Sequence, residues 1–174
     1  MTKNDKQNIK VRNILRDDFD QIIQIEKLSY INPWDTNILD EIFSNQMMVS
    51  RAITLNKTIV GYNFYIVNED YFQIINMTID PEFARQKLAT HLLGDMFKTD
   101  NVNNKNRYID AWVNERYTPM LLFLKVNGFK PLMIAKHLFV NEEDGILMRF
   151  SLTNNTNIPT EYEEMLKEFD CIIF

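Results

Sequence analysis

The chain has 174 residues, which is enough for one domain with a hydrophobic core. Hydrophobic residues make up 45% and aromatic residues 12%, which excludes a disordered chain, and a net charge of −5 gives no support to nucleic-acid binding. One cysteine and two histidines predict neither an intramolecular disulfide nor a metal site. Because no apolar run suits a signal peptide or a membrane span, we expect a cytoplasmic protein.

The first third of the chain predicts a strand and two helices. Residues 9–14 alternate as a strand does, and the next segment predicts a helix capped by Asp17 or Asp18. Pro33 breaks that helix, and Asp35 suits the N-cap of a second, short helix. One face of the first helix carries, at helical spacing, Phe19, Ile22, Ile23 and Glu26.

The middle of the chain changes to the period of a sheet. Residues 50–55 and 58–67 predict a hairpin that turns at Asn56-Lys57. Residues 71–79 are almost continuously apolar, as in a strand buried on both faces. An amphipathic helix follows, with its apolar face formed by Leu88, Leu92, Leu93, Met96 and Phe97.

The remainder predicts a strand, a helix, a hairpin and a tail. The strand is 108–113, and the helix begins at Thr118-Pro119 and ends at Gly128. A final hairpin pairs 130–140 with 145–152. We therefore expect a mixed α/β domain over 1–153. Residues 154–174 predict a linker and a C-terminal helix, opened by a capping box at Thr160 and Glu163, that packs on the domain or on a partner.

Three segments in this order resemble the GCN5-related N-acetyltransferase (GNAT) superfamily, and within it the ribosomal-protein alanine N-terminal acetyltransferases. They are "IEKLSYINPWD" (25–35), "INMTIDPEFARQ" (75–86) and "VNGFKP" (126–131), within a resemblance that covers about residues 9–152. The resemblance implies a central, mostly antiparallel sheet with helices around it. Two parallel strands, here 71–79 and 108–113, are expected to splay apart.

The resemblance also implies acetyl-coenzyme A as the acyl donor, with no metal. A primary amine, for which a protein N-terminus is one expected source, would attack the thioester directly. The backbone amides of Met77 and Ile79 would pair with the pantetheine. The pyrophosphate would lie on the amides at the start of the next helix, which belong to Arg85, Gln86, Lys87, Leu88, Ala89 and Thr90.

The sequence departs from the family pattern in the pyrophosphate loop. Lys87 stands where the family has its first glycine, and Ala84 stands where it has a basic or amide residue. If the position demands a positive φ, a lysine there costs about 1 kcal/mol or more. The lysine charge could compensate at the phosphate, or the side chain could block close approach of the cofactor.

The expected proton-transfer residues also differ. Trp112 falls at the position of the family's glutamate base, and Leu124 at the position of its tyrosine acid. Asp110, one pleat from Trp112, could act as a base through a water, or it could be a core carboxylate paired with Arg107 or Arg116. Tyr117 could protonate the leaving thiolate or merely pack.

Three other residues complete the candidate site. Asn76 matches a family asparagine beside the acetyl group, where its amide could orient a water or the amine. Tyr30 and Trp34 lie in the segment that lines the family's acceptor groove, and they could grip a peptide N-terminus or fill the core. Two alternatives to an enzyme remain open. One is a catalytically silent acyl-coenzyme A-binding protein, and the other is an interaction module, for which a homodimer is one expected state.

Overall fold

The computed structural model describes residues 8–68, 71–99, 108–139, 142–151 and 171–173. The chain divides into two compact units, and one strand, β4 (Tyr71–Ile79), contributes to both. The first unit holds the described residues within Met1–Val67 and Ile75–Asn104, and the second those within Asn68–Ile74 and Lys105–Phe174. This division lies inside the domain predicted over residues 1–153. The boundary predicted near residue 154 lies outside the described residues and stays a prediction.

The described residues of the first unit form three strands, the second half of β4 and three α-helices. The three strands are β1 (Ile9–Asn13), β2 (Met48–Leu55) and β3 (Thr58–Val67). β2 pairs antiparallel with both β1 and β3, and the strand order in this part of the sheet is β1-β2-β3-β4. The helices are α1 (Phe19–Ser29), α2 (Thr36–Ser44) and α3 (Leu88–Thr99). Asp35 caps α2 as predicted, because its carboxylate accepts the Ile38 N–H at 3.0 Å.

The predicted hairpin between β2 and β3 is confirmed, and its turn explains why it forms without glycine. Asn56 and Lys57 have φ angles of 51° and 77°. Two consecutive left-handed residues define the type I′ turn, whose twist matches that of a two-stranded hairpin. Asparagine tolerates this conformation better than most residues, so Asn56 suits the first position.

The core of the first unit lies where α1 and α2 meet β2 and β3. Tyr62 and Phe64 of β3 are fully buried, and their rings are 5.4 Å apart. The other buried members of this cluster are Ile14, Phe19, Ile22, Ile25, Leu39, Ala52 and Ile59. Such a core holds α1 firmly on the sheet and thereby fixes the side chains that α1 directs inward.

The described residues of the second unit form the first half of β4, four further strands and one α-helix. The four further strands are β5 (Tyr108–Asn114), β6 (Lys130–Phe139), β7 (Glu143–Ser151) and β8 (Cys171–Ile173). Their order in the sheet is β4-β5-β7-β6-β8. The helix is α4 (Thr118–Val126), after which Gly128 has the predicted left-handed conformation at φ 92°. β4 and β5 are parallel over four residues each, from Tyr71/Tyr108 to Ile74/Ala111, and both strands continue beyond this ladder.

The described end of the tail is a strand rather than part of a helix. β8 pairs antiparallel with β6, from Met133/Ile173 to Ala135/Cys171. The helix predicted from Thr160 and Glu163 lies outside the described residues and stays a prediction. The predicted packing of the tail on the domain or on a partner also stays a prediction, although residues 171–173 pair with β6 through their backbones.

Asp18 connects β1 to the start of α1 in a way that the sequence did not predict. Its carboxylate does not cap α1. Instead it accepts two hydrogen bonds from the Arg12 guanidinium, at 2.6 and 2.9 Å, and one from the Leu15 N–H at 2.7 Å. The hydrogen bonds from Arg12, together with the Leu15 N–H, hold the pKa of Asp18 below its usual value despite its burial.

We therefore expect Asp18→Asn to lower the free energy of unfolding at pH 7 by about 1 kcal/mol, since Arg12 is partly exposed. A carboxyl with a lowered folded-state pKa stabilises the protein above its unfolded pKa of about 3.9 and loses that effect as pH falls. The difference in Tm between wild type and Asp18→Asn should thus shrink from pH 7 to pH 3. The exposed neighbour gives a control, because Asp17→Asn should show no comparable difference.

Candidate active site

A hydrogen-bonded cluster of polar side chains lies inside the first unit, beneath α1. Its centre is Glu26, which is only 1% exposed. α1 carries this residue on the same face as its apolar side chains, so burying that face also buries the carboxylate. A charged residue at the spacing of a core face was the signal in the sequence that could have identified Glu26.

Glu26 receives hydrogen bonds from three other parts of the unit. Its Oε1 accepts from the Tyr62 hydroxyl of β3 and from Nδ2 of Asn76 on β4, the latter at 3.0 Å. Its Oε2 accepts from the Trp34 backbone N–H at 2.8 Å. Burial raises the pKa of the Glu26 carboxyl above its usual value, and the hydrogen bonds from Trp34 and Asn76 act in the opposite direction.

Asn76 extends this cluster towards the surface. While its Nδ2 faces Glu26, its Oδ1 accepts from the hydroxyls of Tyr30 at 3.2 Å and Thr78 at 2.9 Å. The Tyr30 hydroxyl also lies 2.8 Å from the hydroxyl oxygen of Thr78. Asn76 and Tyr30 are half-buried, so this end of the cluster is the part that a reactant could approach.

The loop between β4 and α3 has a backbone suited to binding an anion. Asp80 begins a short 3-10 turn by accepting the Glu82 N–H at 2.9 Å. Arg85 and Lys87 then have φ angles of 63° and 62°, and α3 begins at Leu88. Left-handed residues alternating with others turn successive N–H groups to one side, and the N-terminus of a helix adds its own N–H groups and dipole.

Among the residues predicted to bind the cofactor, some side chains are buried and others are exposed. The buried ones could contribute only their backbone groups. Leu88 is 2% exposed and Met77 7%, so these side chains belong to the core. Ile79 and Ala89 are half-buried. The exposed side chains, which a phosphate could reach, are those of Arg85, Gln86, Lys87 and Thr90.

The left-handed conformation of Lys87 allows a direct prediction. A non-glycine residue in this region costs about 1–2 kcal/mol, and glycine avoids most of that cost. We expect Lys87→Gly to raise the free energy of unfolding by about 1 kcal/mol in urea denaturation. Gln86 is not left-handed, so Gln86→Gly should lower it by about 0.5–1 kcal/mol. Equal effects of the two changes would contradict the strained geometry.

The second unit contains Asp110, the candidate base, in a closed environment. Asp110 is 0% exposed, and its two oxygens accept from Nε and Nη2 of Arg149, both at 2.7 Å. The Arg149 guanidinium also stacks on the Tyr108 ring at 3.8 Å. Of the two partners considered from the sequence, Arg107 lies outside the described residues, and Arg116 pairs with Glu143 instead. This geometry favours a structural carboxylate over a base.

Comparisons with known proteins found a relative in sequence and several similar structures. No family model matches the chain. It is 27% identical over 146 residues to a candidate ribosomal protein bS18-alanine N-acetyltransferase of Bacillus subtilis. The matched residues make up 82% of this chain and 95% of the relative. The crystal structure of the ribosomal-protein-S18-alanine N-acetyltransferase from Escherichia coli is similar, with a TM-score of 0.75 at 17% identity, over 87% of this chain and 99% of that one.

Two further crystal structures agree. Arabidopsis thaliana NAA60 in complex with a bisubstrate analogue gives a TM-score of 0.75 at 13% identity, over 85% of this chain and all of that one. A candidate GNAT-family acetyltransferase from Desulfovibrio desulfuricans gives 0.73 at 16% identity, over 84% and 100%. The chain has the GNAT fold. The predicted fold class is thereby confirmed, as is the resemblance in sequence to ribosomal-protein alanine N-acetyltransferases.

Three residues of the second unit lie at or near the positions that the resemblance predicts for proton transfer. Leu124 is fully buried in α4, and Trp112 is half-buried. Tyr117 is the N-cap residue of α4 and is 41% exposed; partial burial raises the pKa of its phenol. The catalytic roles of Tyr117 and Asp110 stay predictions.

The two aromatic residues predicted to grip an acceptor have different environments. Trp34 packs on the core cluster of the first unit, with its ring 5.8 Å from that of Phe64. Tyr30 ends α1 and directs its hydroxyl to Asn76 and Thr78. Trp34 thus matches the core-filling alternative, whereas Tyr30 remains a candidate for contact with the acceptor.

The described residues have neither a cluster of metal ligands nor a helix that could span a membrane. They contain no group of three or more side chains of the kinds that could hold a metal ion. None of the described helices is long and apolar enough to cross a membrane.

Proposed function

We propose that this protein is an N-acetyltransferase that moves an acetyl group from acetyl-coenzyme A to a primary amine. The observation that supports this most strongly is the loop before α3. Arg85 and Lys87 adopt the left-handed backbone of an anion-binding loop although neither is glycine. Strain of this kind persists where the surrounding structure requires it, and such positions concentrate at binding sites.

The proposed reaction is a direct transfer in a ternary complex. The nitrogen lone pair of the amine attacks the thioester carbonyl carbon, an N–C bond forms, and the C–S bond breaks. Sulfur leaves with the electron pair as the coenzyme A thiolate and takes up a proton, while the amine nitrogen loses one. Backbone amides near Met77 and Ile79 would orient the donor, and its pyrophosphate would lie on the N–H groups of residues 85–90.

For the acceptor we propose a protein N-terminus that begins with a small residue such as alanine. The support is the likeness to the Escherichia coli and Bacillus subtilis proteins, whose names specify alanine N-acetylation of a ribosomal protein. In this proposal the Tyr30 hydroxyl lies at the acceptor end and Asn76 beside the acetyl group. A cytoplasmic location and a homodimer are two further proposals, carried over from the sequence.

The test is calorimetric titration with acetyl-coenzyme A, followed by an acceptor screen. We expect micromolar binding by the wild type, by Gln86→Gly and by Lys87→Gly. Turnover is then measured as thiol release with a short peptide that begins with alanine, and the same peptide with an acetylated N-terminus is the control. Absence of binding to wild type and to Lys87→Gly would contradict the proposal.

A catalytically silent acyl-coenzyme A-binding protein is the second candidate. The burial of Asp110 against Arg149 favours it, because the candidate base is enclosed. In that case acetyl-coenzyme A binds, but thiol release with every free N-terminus equals release with the acetylated control. The same titration and screen therefore separate the two candidates.

A further inference from the structure

The Glu26 carboxylate connects the elements that form the proposed acceptor end of the site. It belongs to α1, and it receives donors from β3, from β4 and from the segment between α1 and α2. All three donors, among the described residues, are neutral: a phenol, a side-chain amide and a backbone N–H. A buried carboxylate that is held by neutral donors is costly to maintain, which points to a specific role for Glu26.

The first part of that role is to fix the direction of an amide. An asparagine side chain has a donor end and an acceptor end that differ little in shape. The carboxylate accepts from Nδ2 of Asn76, so it excludes the flipped amide, whose oxygen would face Oε1. With Nδ2 held at Glu26, Oδ1 of Asn76 must face the hydroxyls of Tyr30 and Thr78.

The second part is to hold the segment that carries Tyr30. The Glu26 backbone carbonyl accepts the Tyr30 N–H at 2.9 Å, which closes the last turn of α1. Four residues later in the chain, the Trp34 N–H donates to the Glu26 side chain. The segment between Tyr30 and Trp34 is thus attached to Glu26 at both of its ends.

We infer that Glu26 is a positioning residue for acetyl transfer, which sets the Tyr30 hydroxyl and the Asn76 amide in the orientation that the reaction requires. This inference rests on the proposed function for its catalytic consequence. A glutamine would keep the size of the side chain, but it could not accept all three hydrogen bonds, because its NH₂ group would face at least one donor. Only a carboxylate, which has two acceptor oxygens and no N–H group, can accept from all three donors at once.

The experiment compares Glu26→Gln with wild type and with Glu41→Gln, an exposed glutamate of α2. Hydrogen exchange of the Trp34 amide is measured first, and it needs no activity. We expect its exchange in Glu26→Gln to accelerate about tenfold or more, since a hydrogen bond is lost. The Leu39 amide, which donates to the Asp35 carbonyl in α2, should exchange as in wild type.

Kinetics follow on the same proteins. We expect kcat of Glu26→Gln to fall about tenfold to a hundredfold, because a misplacement of about 1 Å at the reacting groups can cost about a hundredfold in rate. The dissociation constant of acetyl-coenzyme A should stay within about twofold, because the predicted cofactor contacts are untouched. Glu41→Gln should equal wild type in both quantities.

Tyr62→Phe keeps the inference testable if Glu26→Gln does not fold. It removes only one of the two donors to Oε1, so we expect a smaller loss of kcat, about threefold to tenfold, at unchanged affinity for acetyl-coenzyme A. Unchanged Trp34 exchange in Glu26→Gln would overturn the inference, as would wild-type kcat in both variants. No turnover by wild type would instead contradict the proposed function, and the exchange result would still decide on Glu26.

Discussion

Replacing Arg149 with methionine is expected to lower the free energy of unfolding by about 3–5 kcal/mol. Arg149 is 4% exposed and Asp110 is 0% exposed, and two hydrogen bonds of 2.7 Å join them. Removal of the guanidinium takes from the buried Asp110 carboxylate the cation that donates two hydrogen bonds to it, and from the Tyr108 ring the cation that lies on its face. Urea denaturation followed by circular dichroism measures the loss.

An exposed ion pair in the same unit is the matched control. Arg116 pairs with Glu143 at 3.0 Å, but the side chain of Arg116 is 75% exposed. Arg116→Met should therefore cost less than about 1 kcal/mol. The double variant Asp110→Leu/Arg149→Met should lose clearly less than the sum of its single changes, because it removes both charges of the pair together. Equal costs for Arg149→Met and Arg116→Met would show that the buried pair is not structural.

The same pair bears on catalysis. Asp110→Asn separates the two roles because it keeps the size of the side chain. If Asp110 is structural, turnover and the free energy of unfolding should fall together, and turnover should recover in any variant that restores stability. Loss of turnover at full stability would support the original prediction that Asp110 acts as a base.

Gly61→Ala is expected to lower the free energy of unfolding by about 2–3 kcal/mol. A Cβ atom at Gly61 would lie 2.7 Å from the Thr78 carbonyl oxygen and 3.1 Å from a side-chain carbon of Ile53. A backbone carbonyl within a sheet cannot move aside without loss of its own pairing, so β3 would shift against β4. Thr78 and Asn76 occupy that part of β4, so the polar cluster should be disturbed as well.

Gly94 provides the control, since it lies within α3 and a Cβ there would meet nothing within 4 Å. Gly94→Ala should raise the free energy of unfolding by about 0.5–1 kcal/mol, because alanine favours helix. The two changes add the same methyl group and should have opposite signs in urea denaturation. Stabilisation by Gly61→Ala would mean that β3 and β4 are further apart than described.

The parts of the fold that could be predicted depend on residues close together in the chain. The turn at Asn56-Lys57, the N-cap at Asp35 and the C-cap at Gly128 each follow from the conformation that a few neighbouring residues prefer. The periodicity of the flanking segments supplied the strands and helices. The three motif segments then indicated the fold through their order.

Distant pairings could not be read in this way. Asp110 and Arg149 are 39 residues apart and meet because β5 and β7 align in one register, which places them opposite each other. The same limit applies to Glu26, whose partners Tyr62 and Asn76 lie on two later strands. The sequence showed a glutamate on an apolar helix face, but not which donors would meet it.

The pairing of β8 with β6 has a consequence for self-association. β6 would otherwise be the outermost strand of the second unit, with a row of unpaired N–H and C=O groups. Such a row is a template on which another copy of the chain can add a strand. Truncation before Cys171 should therefore favour intermolecular β-pairing and aggregation. In the intact chain, residues 171–173 occupy part of this row and keep a second chain from pairing there.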